Sequence, residues 1–348
     1  MRLFGRKSGS AASAAGIREF WSWWDRTRSE IDALADAEET GRLAELIGPA
    51  VAAIHSSLEW EITPGRGGAA RALVVTAAGD AELRPIAHRW AKAAPPADAR
   101  WEFHPSRQAD PDALEVTVDV GGYDFDLKEL TFGLRVPPGT PRVNVTAYHP
   151  IFTLLEEDAR MDATLMALDR LLGEDEVARW IGEISTSAFQ PMDPVAAVHL
   201  PGVVADVASG YAEEQWALLE GTTAGGARLV ATARHPLRSV DYPLFDQHIA
   251  IVLPYRHADD DGLPAAESLE SLRAFEERLT STLTVPGGSA VLAAHVSAER
   301  RRVVHLYADS EGDAAARAKE LAAQWREGRA SVTVEADPEW AGVAPFLS

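Results

Sequence analysis

AVLAAHVSAERRRVVHLY, residues 290–307, decides how the C-terminal half of this chain folds. Two apolar runs rich in valine flank a charged centre, so 290–296 and 302–307 read as antiparallel strands joined by a tight turn at Glu299-Arg300. Upstream, Leu269, Leu272, Phe275, Leu279 and Leu283 recur at helical spacing, and the apolar run HIAIVLPY (248–255) before them reads as a strand. Downstream, Ala314, Ala318, Leu321 and Trp325 mark a second helix, and 331–335 a last strand. The order is β-α-β-β-α-β, the split-βαβ or ferredoxin-like motif. Each half buries one helix face on one face of the sheet. Such a unit is stable without a cofactor, and none is expected. Two more strands, 215–219 and 228–234, precede it.

The N-terminal half follows a different plan. Ser8 to Gly16 is a run of small residues, expected to be the end of a flexible leader over 1–16. Ile17, Phe20, Trp21, Trp24, Ile31 and Leu34, then Leu43, Ile47, Val51 and Ile54, predict a helical hairpin. In FWSWW (20–24), Trp21 and Trp24 fall on the apolar stripe, which favours core packing over carbohydrate or membrane contact. SSLEWEITPG (56–65) alternates as a strand and pairs with ARALVVTA through the glycine-rich turn at 65–68. Further strands and helices to residue 187 predict a domain with helices on one face of a largely antiparallel sheet. SAFQPMDPVAAVHLPG (187–202) carries three prolines and breaks the periodicity. It predicts a linker over 188–205, with a second domain over 206–348. The fold class is α+β, two domains of helices on antiparallel or mixed sheets, the second ferredoxin-like.

The stretches DYPLFDQHIAIVLPY (241–255), DDDGLPAAESL (259–269) and ADPEW (336–340) resemble the bacterial family called domain of unknown function 695. The βαβ portion after Arg301 is similar in plan to the regulator of ribonuclease E activity B. LEWEITPG (58–65) and LVVTAAGDAEL (73–83) resemble an uncharacterised bacterial region. None of these motifs implies a catalytic residue.

Composition narrows the function classes. The net charge is −20, with 53 acidic against 33 basic side chains. Such a surface repels phosphate backbones, so no direct nucleic-acid binding is expected unless a local patch overrides the mean, and a protein partner with a basic surface is favoured. Cysteine is absent, so disulfides and thiolate chemistry are excluded and a reducing cytoplasm fits. No apolar run reaches the ~18 residues that span a bilayer, and no secretory h-region follows Lys7.

Two constellations invite a metal. The first is HADDDGLPAAES (257–268). Placing Gly262 at the glycine of a calcium loop puts His257 at the first ligand position and Ser268 at the last, so the EF-hand pattern fails. A looser cation site at Asp259 and Asp261 remains, set against a plain turn before a helix. The second rests on symmetry. His295 and His305 are equidistant from Arg300, so a hairpin centred there faces them, and the His248 strand lies beside the second. His248, His295 and His305 then converge, a set that suits zinc. The acidic turn of Asp119, Asp124, Asp126 and Glu129 reads as solvated. Helical zinc-protease, nucleophile-elbow and phosphate-loop motifs are missing. The leading expectation is a non-enzymatic cytoplasmic protein-interaction or regulatory module. Its rivals are a metal-dependent hydrolase at either constellation and a small-molecule sensor binding between the domains. Oligomeric state is left open.

Overall fold

The computed structural model describes residues 6–211, 213, 215–284 and 288–348. The chain divides into two units, 1–212 and 213–348, and the class is α+β. Gly287, expected to lead into the central hairpin, lies outside the described residues.

The first unit opens with α1 (Arg6–Asp36) and α2 (Thr40–Ala52) as an antiparallel hairpin. The helix starts at Arg6, so residues 6–16 are not the flexible leader that their composition predicts; residues 1–5 lie outside the described residues. Gly16 serves close packing instead. A Cβ on Gly16 would sit 2.9 Å from the Ala53 carbonyl oxygen, so only glycine lets the helices approach this far. Strands β1 (Glu59–Pro64) and β2 (Arg71–Thr76) form the expected hairpin. Helix α3 (Arg84–Lys92) crosses over to β3 (Trp101–His104), which runs parallel to β2. Phe20, Trp24, Trp90 and Trp101 are buried between the helices and this sheet. Trp21 Nε1 donates to the Trp90 carbonyl at 3.0 Å, and Trp101 Nε1 to Asp32 at 2.7 Å. Trp24 of the FWSWW cluster is core, and Trp21 and Trp23 pack partly buried against it.

A small hairpin, β4 (Thr117–Val120) and β5 (Tyr123–Asp126), leads to β6 (Thr131–Arg135) and β7 (Val143–Tyr148). Helices α4 (Glu157–Leu172) and α5 (Glu174–Trp180) precede β8 (Ile181–Thr186), which is parallel to β7. Then β9 (Val195–Ala196) pairs with β6, and α6 (Leu200–Ser209) closes the unit. The sheet order is β8-β7-β6-β9, with its own core. The single sheet expected for this half is therefore two larger sheets with separate cores, with the β4–β5 hairpin as a third, two-stranded one. The expected linker over 188–205 is likewise part of the unit: β9 adds a strand, and Leu200 and Val204 are buried in the core. Prolines end the helical pattern there without freeing the chain, because the apolar residues after Pro194 still have a core to enter.

The second unit contains β10 (Gln215–Thr222), β11 (Arg228–His235), β12 (Gln247–Pro254) and α7 (Ala266–Leu283). These are followed by β13 (Ala290–Ala298), β14 (Arg301–Ala308), α8 (Ala314–Ala322) and β15 (Ser331–Ala336). All pairings are antiparallel, in the order β10-β11-β13-β14-β12-β15. The last four strands are the ferredoxin-like sheet, extended at one edge by the β10–β11 hairpin. Leu272, Phe275 and Leu279 of α7 pack on Ile249, Ile251, Val304 and Leu306. The opposite face is also covered in part. There Tyr307, Val291 and Ala293 pack with Leu237, Trp340 and Val343.

Candidate functional site

The central turn decides what the histidines do. It consists of Glu299 and Arg300, both at positive φ (49° and 61°), and Ala298 pairs with Arg301. Twist-matched two-residue turns of this kind have no residue at the centre. Pairing therefore falls one place short of the symmetric guess: Ala294 opposes His305, and His295 opposes Val304. A one-residue slip moves a side chain to the other face of a sheet. The expected three-imidazole group is corrected on this ground. His295 faces α7, with its Nδ1 3.2 Å from Glu276 Oε1. Arg302 donates to the same oxygen at 2.9 Å and to Ser297 Oγ at 2.8 Å. Burial works to raise the Glu276 carboxyl, but His295 and Arg302 outweigh it and hold the group low.

His248 and His305 do meet, as the adjacency of their strands predicts. His248 Nε2 and His305 Nδ1 share a hydrogen bond of 3.0 Å, and the rings are parallel at 5.2 Å. The stack continues from His248 to Tyr307 (4.9 Å), Tyr307 to Trp340 (4.0 Å) and Trp340 to Tyr242 (5.8 Å). Tyr307 donates its hydroxyl to Asp337 Oδ2 at 2.6 Å, and the backbone N–H groups of Ala341 and Gly342 donate to that carboxylate at 2.8 Å each. A Cβ on Gly342 would lie 2.6 Å from the His248 ring, so glycine is required for this approach. Burial, and then the neighbouring His248, hold His305 down at about 4. Burial also lowers His248, against the pull of Asp337 and Glu335. Burial and the Asp337 hydrogen bond push the Tyr307 hydroxyl up. At neutral pH the array is an uncharged imidazole pair beside a protonated phenol.

The aspartates are spent on the turn. Asp259 Oδ1 accepts from the backbone of Asp261 (3.1 Å) and Leu263 (2.8 Å), and Gly262 stands at φ +78°. Asp261 turns to Arg228 at 3.3 Å. The Gly262 carbonyl accepts from Tyr255 Oη (2.7 Å) and Arg300 N (2.9 Å), which ties the loop to the β13–β14 turn. Among the described residues, no group of three or more His, Cys, Asp or Glu side chains is placed to hold a metal ion. Asp124 and Glu129 are exposed, and Asp126 and Asp119 cap local turns through Lys128 N and Gly122 N.

Sequence reasoning missed two features of the first unit. Glu174, buried at the start of α5, accepts from Gly79 N (3.0 Å), Arg107 N (3.2 Å) and the Thr76 hydroxyl. This carboxylate fastens the end of β2 to the second sheet's helices. Beside it, burial and Glu174 raise the Asp169 carboxyl to about 6 against Arg107. Long-range partners of this kind leave no local pattern in sequence. The second feature is the loop 187–194, where Phe189 is 80% and Met192 97% exposed. Ser187 Oγ donates to the Phe189 carbonyl (2.7 Å) and accepts from its N–H (3.0 Å). Ser187 N donates to the Ala147 carbonyl, Pro191 packs on Gly133, and the chain then enters β9. The loop is held at both ends while its two large apolar side chains point to solvent.

By sheet order the second unit is a ferredoxin-like α+β domain with an added edge hairpin. Residues 214–348 match the model of a family described as Family of unknown function (DUF695). The stretches that carry the resemblance meet in space. Asp337 N donates to the Asp246 carbonyl (2.8 Å), Trp340 Nε1 to the Phe245 carbonyl (2.9 Å), and Ser310 N and Oγ to the Asp246 carboxylate. No curated protein and no solved structure matches the chain. Among the described residues, no helix is long and apolar enough to cross a membrane.

Proposed function

We propose that the protein is a non-enzymatic interaction module of the bacterial cytoplasm whose contact element is the loop 187–194. The observation that carries this reading is the exposure of Phe189 and Met192 on a loop pinned at both ends. An exposed apolar side chain costs free energy until a partner covers it, and a pinned loop loses little entropy when that happens. The net charge of −20 supports a partner whose apolar pocket is rimmed by basic side chains. The absence of cysteine and the internal use of His295, Asp259 and Glu174 agree with a reducing compartment and a non-catalytic role.

The test is site-specific photocrosslinking in cells. A photoreactive phenylalanine analogue at position 189 or 192 is expected to give a discrete protein adduct. At the exposed Asp112 position it is expected to give none. Capture of the partner should weaken with ionic strength. Equal labelling at all three positions, or adducts indifferent to a Phe189→Ser/Met192→Ser background when the probe sits elsewhere on the loop, would sink the reading.

A further inference from the structure

Strand β10 ends the six-stranded sheet, and among the described residues no strand pairs with its outer edge. At the hairpin tip Thr223 N donates to the Ala227 carbonyl at 2.8 Å, and the register of all eight β10 residues with β11 is unbroken. Antiparallel ladders alternate, so 221, 219 and 217 direct their backbone groups to β11. Leu218, Glu220 and Thr222 direct theirs outward. Natural edges are blunted by lysine, proline, a bulge or a covering element. This strand, QWALLEGT, has no lysine, proline or bulge. Its one charge, Glu220, is held by Arg228 at 3.2 Å. Trp216, Leu218 and Leu219 are 41%, 69% and 39% exposed. On a chain of charge −20 this is a nearly neutral apolar strip with open hydrogen-bonding groups.

We propose that a second copy of this chain pairs here, β10 antiparallel to β10, about a two-fold axis through Leu218. The strand satisfies its own requirements in that register. Leu218 packs on the partner's Leu218. Ala217, small, lies opposite the partner's Leu219, large, on one face. On the other, Trp216 lies opposite the partner's Glu220. The Arg234 guanidinium stands 5.5 Å from the centre of the Trp216 ring, so the incoming carboxylate meets a cation. The Leu218 pair sits on the axis and the other two contacts each occur twice, as an isologous interface requires. The two sheets become one, and the outward backbone groups of Leu218 gain partners.

Because the chain has no cysteine, a single introduced thiol can form only an intermolecular disulfide. Residues facing each other across a hydrogen-bonded antiparallel pair have Cα atoms about 5.5 Å apart, within disulfide reach. Leu218→Cys in the full chain is therefore expected to oxidise to a covalent dimer under mild conditions. Thr222→Cys, whose two copies lie far apart in this register, is expected to form no intermolecular disulfide under the same conditions. In sedimentation velocity the unmodified chain should show a dimer that is lost in Leu218→Lys. Because Leu218 is exposed, the variant should keep the circular dichroism spectrum of the folded chain. The proposal is overturned if the unmodified chain sediments as a monomer at all concentrations, if both thiols crosslink equally, or if Leu218→Lys sediments as a dimer. A monomer that binds an extended segment of another protein at β10 likewise overturns it. None of these results depends on Phe189 or Met192, so this proposal and the interaction-loop reading succeed or fail separately.

Discussion

His305 shows how far a single residue's surroundings can reset its chemistry. Its imidazole is squeezed between strands beside His248 and titrates at about 4 instead of the ordinary 6.5. The consequence for stability has a definite sign. At pH 7 the group is neutral in the folded chain and mostly neutral in the unfolded one, so it contributes little pH dependence there. Below about 6.5 the unfolded chain takes up a proton that the folded chain refuses, so stability falls until the folded group also titrates near 4. By pH 5 this residue alone is expected to cost about 2 kcal/mol, with His248 adding in the same direction. Urea denaturation at pH 7 and pH 5 checks it. His305→Gln should flatten the difference by about that amount relative to the unmodified chain, and equal slopes would contradict the assignment.

At the scale of an element, the Glu299–Arg300 turn sets the register of the β13–β14 hairpin and hence the face on which every side chain of that hairpin sits. Both residues occupy the left-handed region, which costs a residue with a side chain roughly 1–2 kcal/mol. Asn-Gly is the pair that this geometry favours. Glu299→Asn/Arg300→Gly is therefore expected to raise stability by about 1 kcal/mol, less the contact that the Arg300 guanidinium makes with the Arg256 carbonyl. The midpoint of chemical denaturation measures it, and a lower midpoint would show that this contact outweighs the backbone strain. The hairpin was legible from its valine-rich flanks, whereas the half-residue difference between a turn centred on Arg300 and one centred between Glu299 and Arg300 was not. That difference parted His295 from His305.

For the whole molecule, the boundary between units carries the clearest prediction. Residues 213–348 enclose their own cores around Phe275 and around Tyr307 and Trp340. Expressed alone, this fragment is expected to unfold cooperatively. A fragment ending at residue 187 loses β9 and the buried Leu200 and Val204, and it should melt far less cooperatively than one ending at 212. Thermal melts followed by circular dichroism distinguish the two. Periodicity was enough to read the helical hairpin, the tryptophan core and the β-α-β-β-α-β order, because each is a repeat of 3.6 or 2 imposed by burial on neighbouring residues. The adjacency of β12 and β14 followed from that order, so the meeting of His248 with His305 was within reach of the sequence. The splitting of the first unit into separate sheets was not. Neither were the Glu174 clasp, the absorption of the proline-rich stretch into a core, or the stack that ends on Trp340. Those depend on side chains that meet across about 30 to 100 positions, and on turn geometry finer than strand boundaries can be read. Local chemistry determined the elements of this protein, while only the folded chain decided which polar groups were consumed in holding those elements together and which apolar ones were left facing solvent.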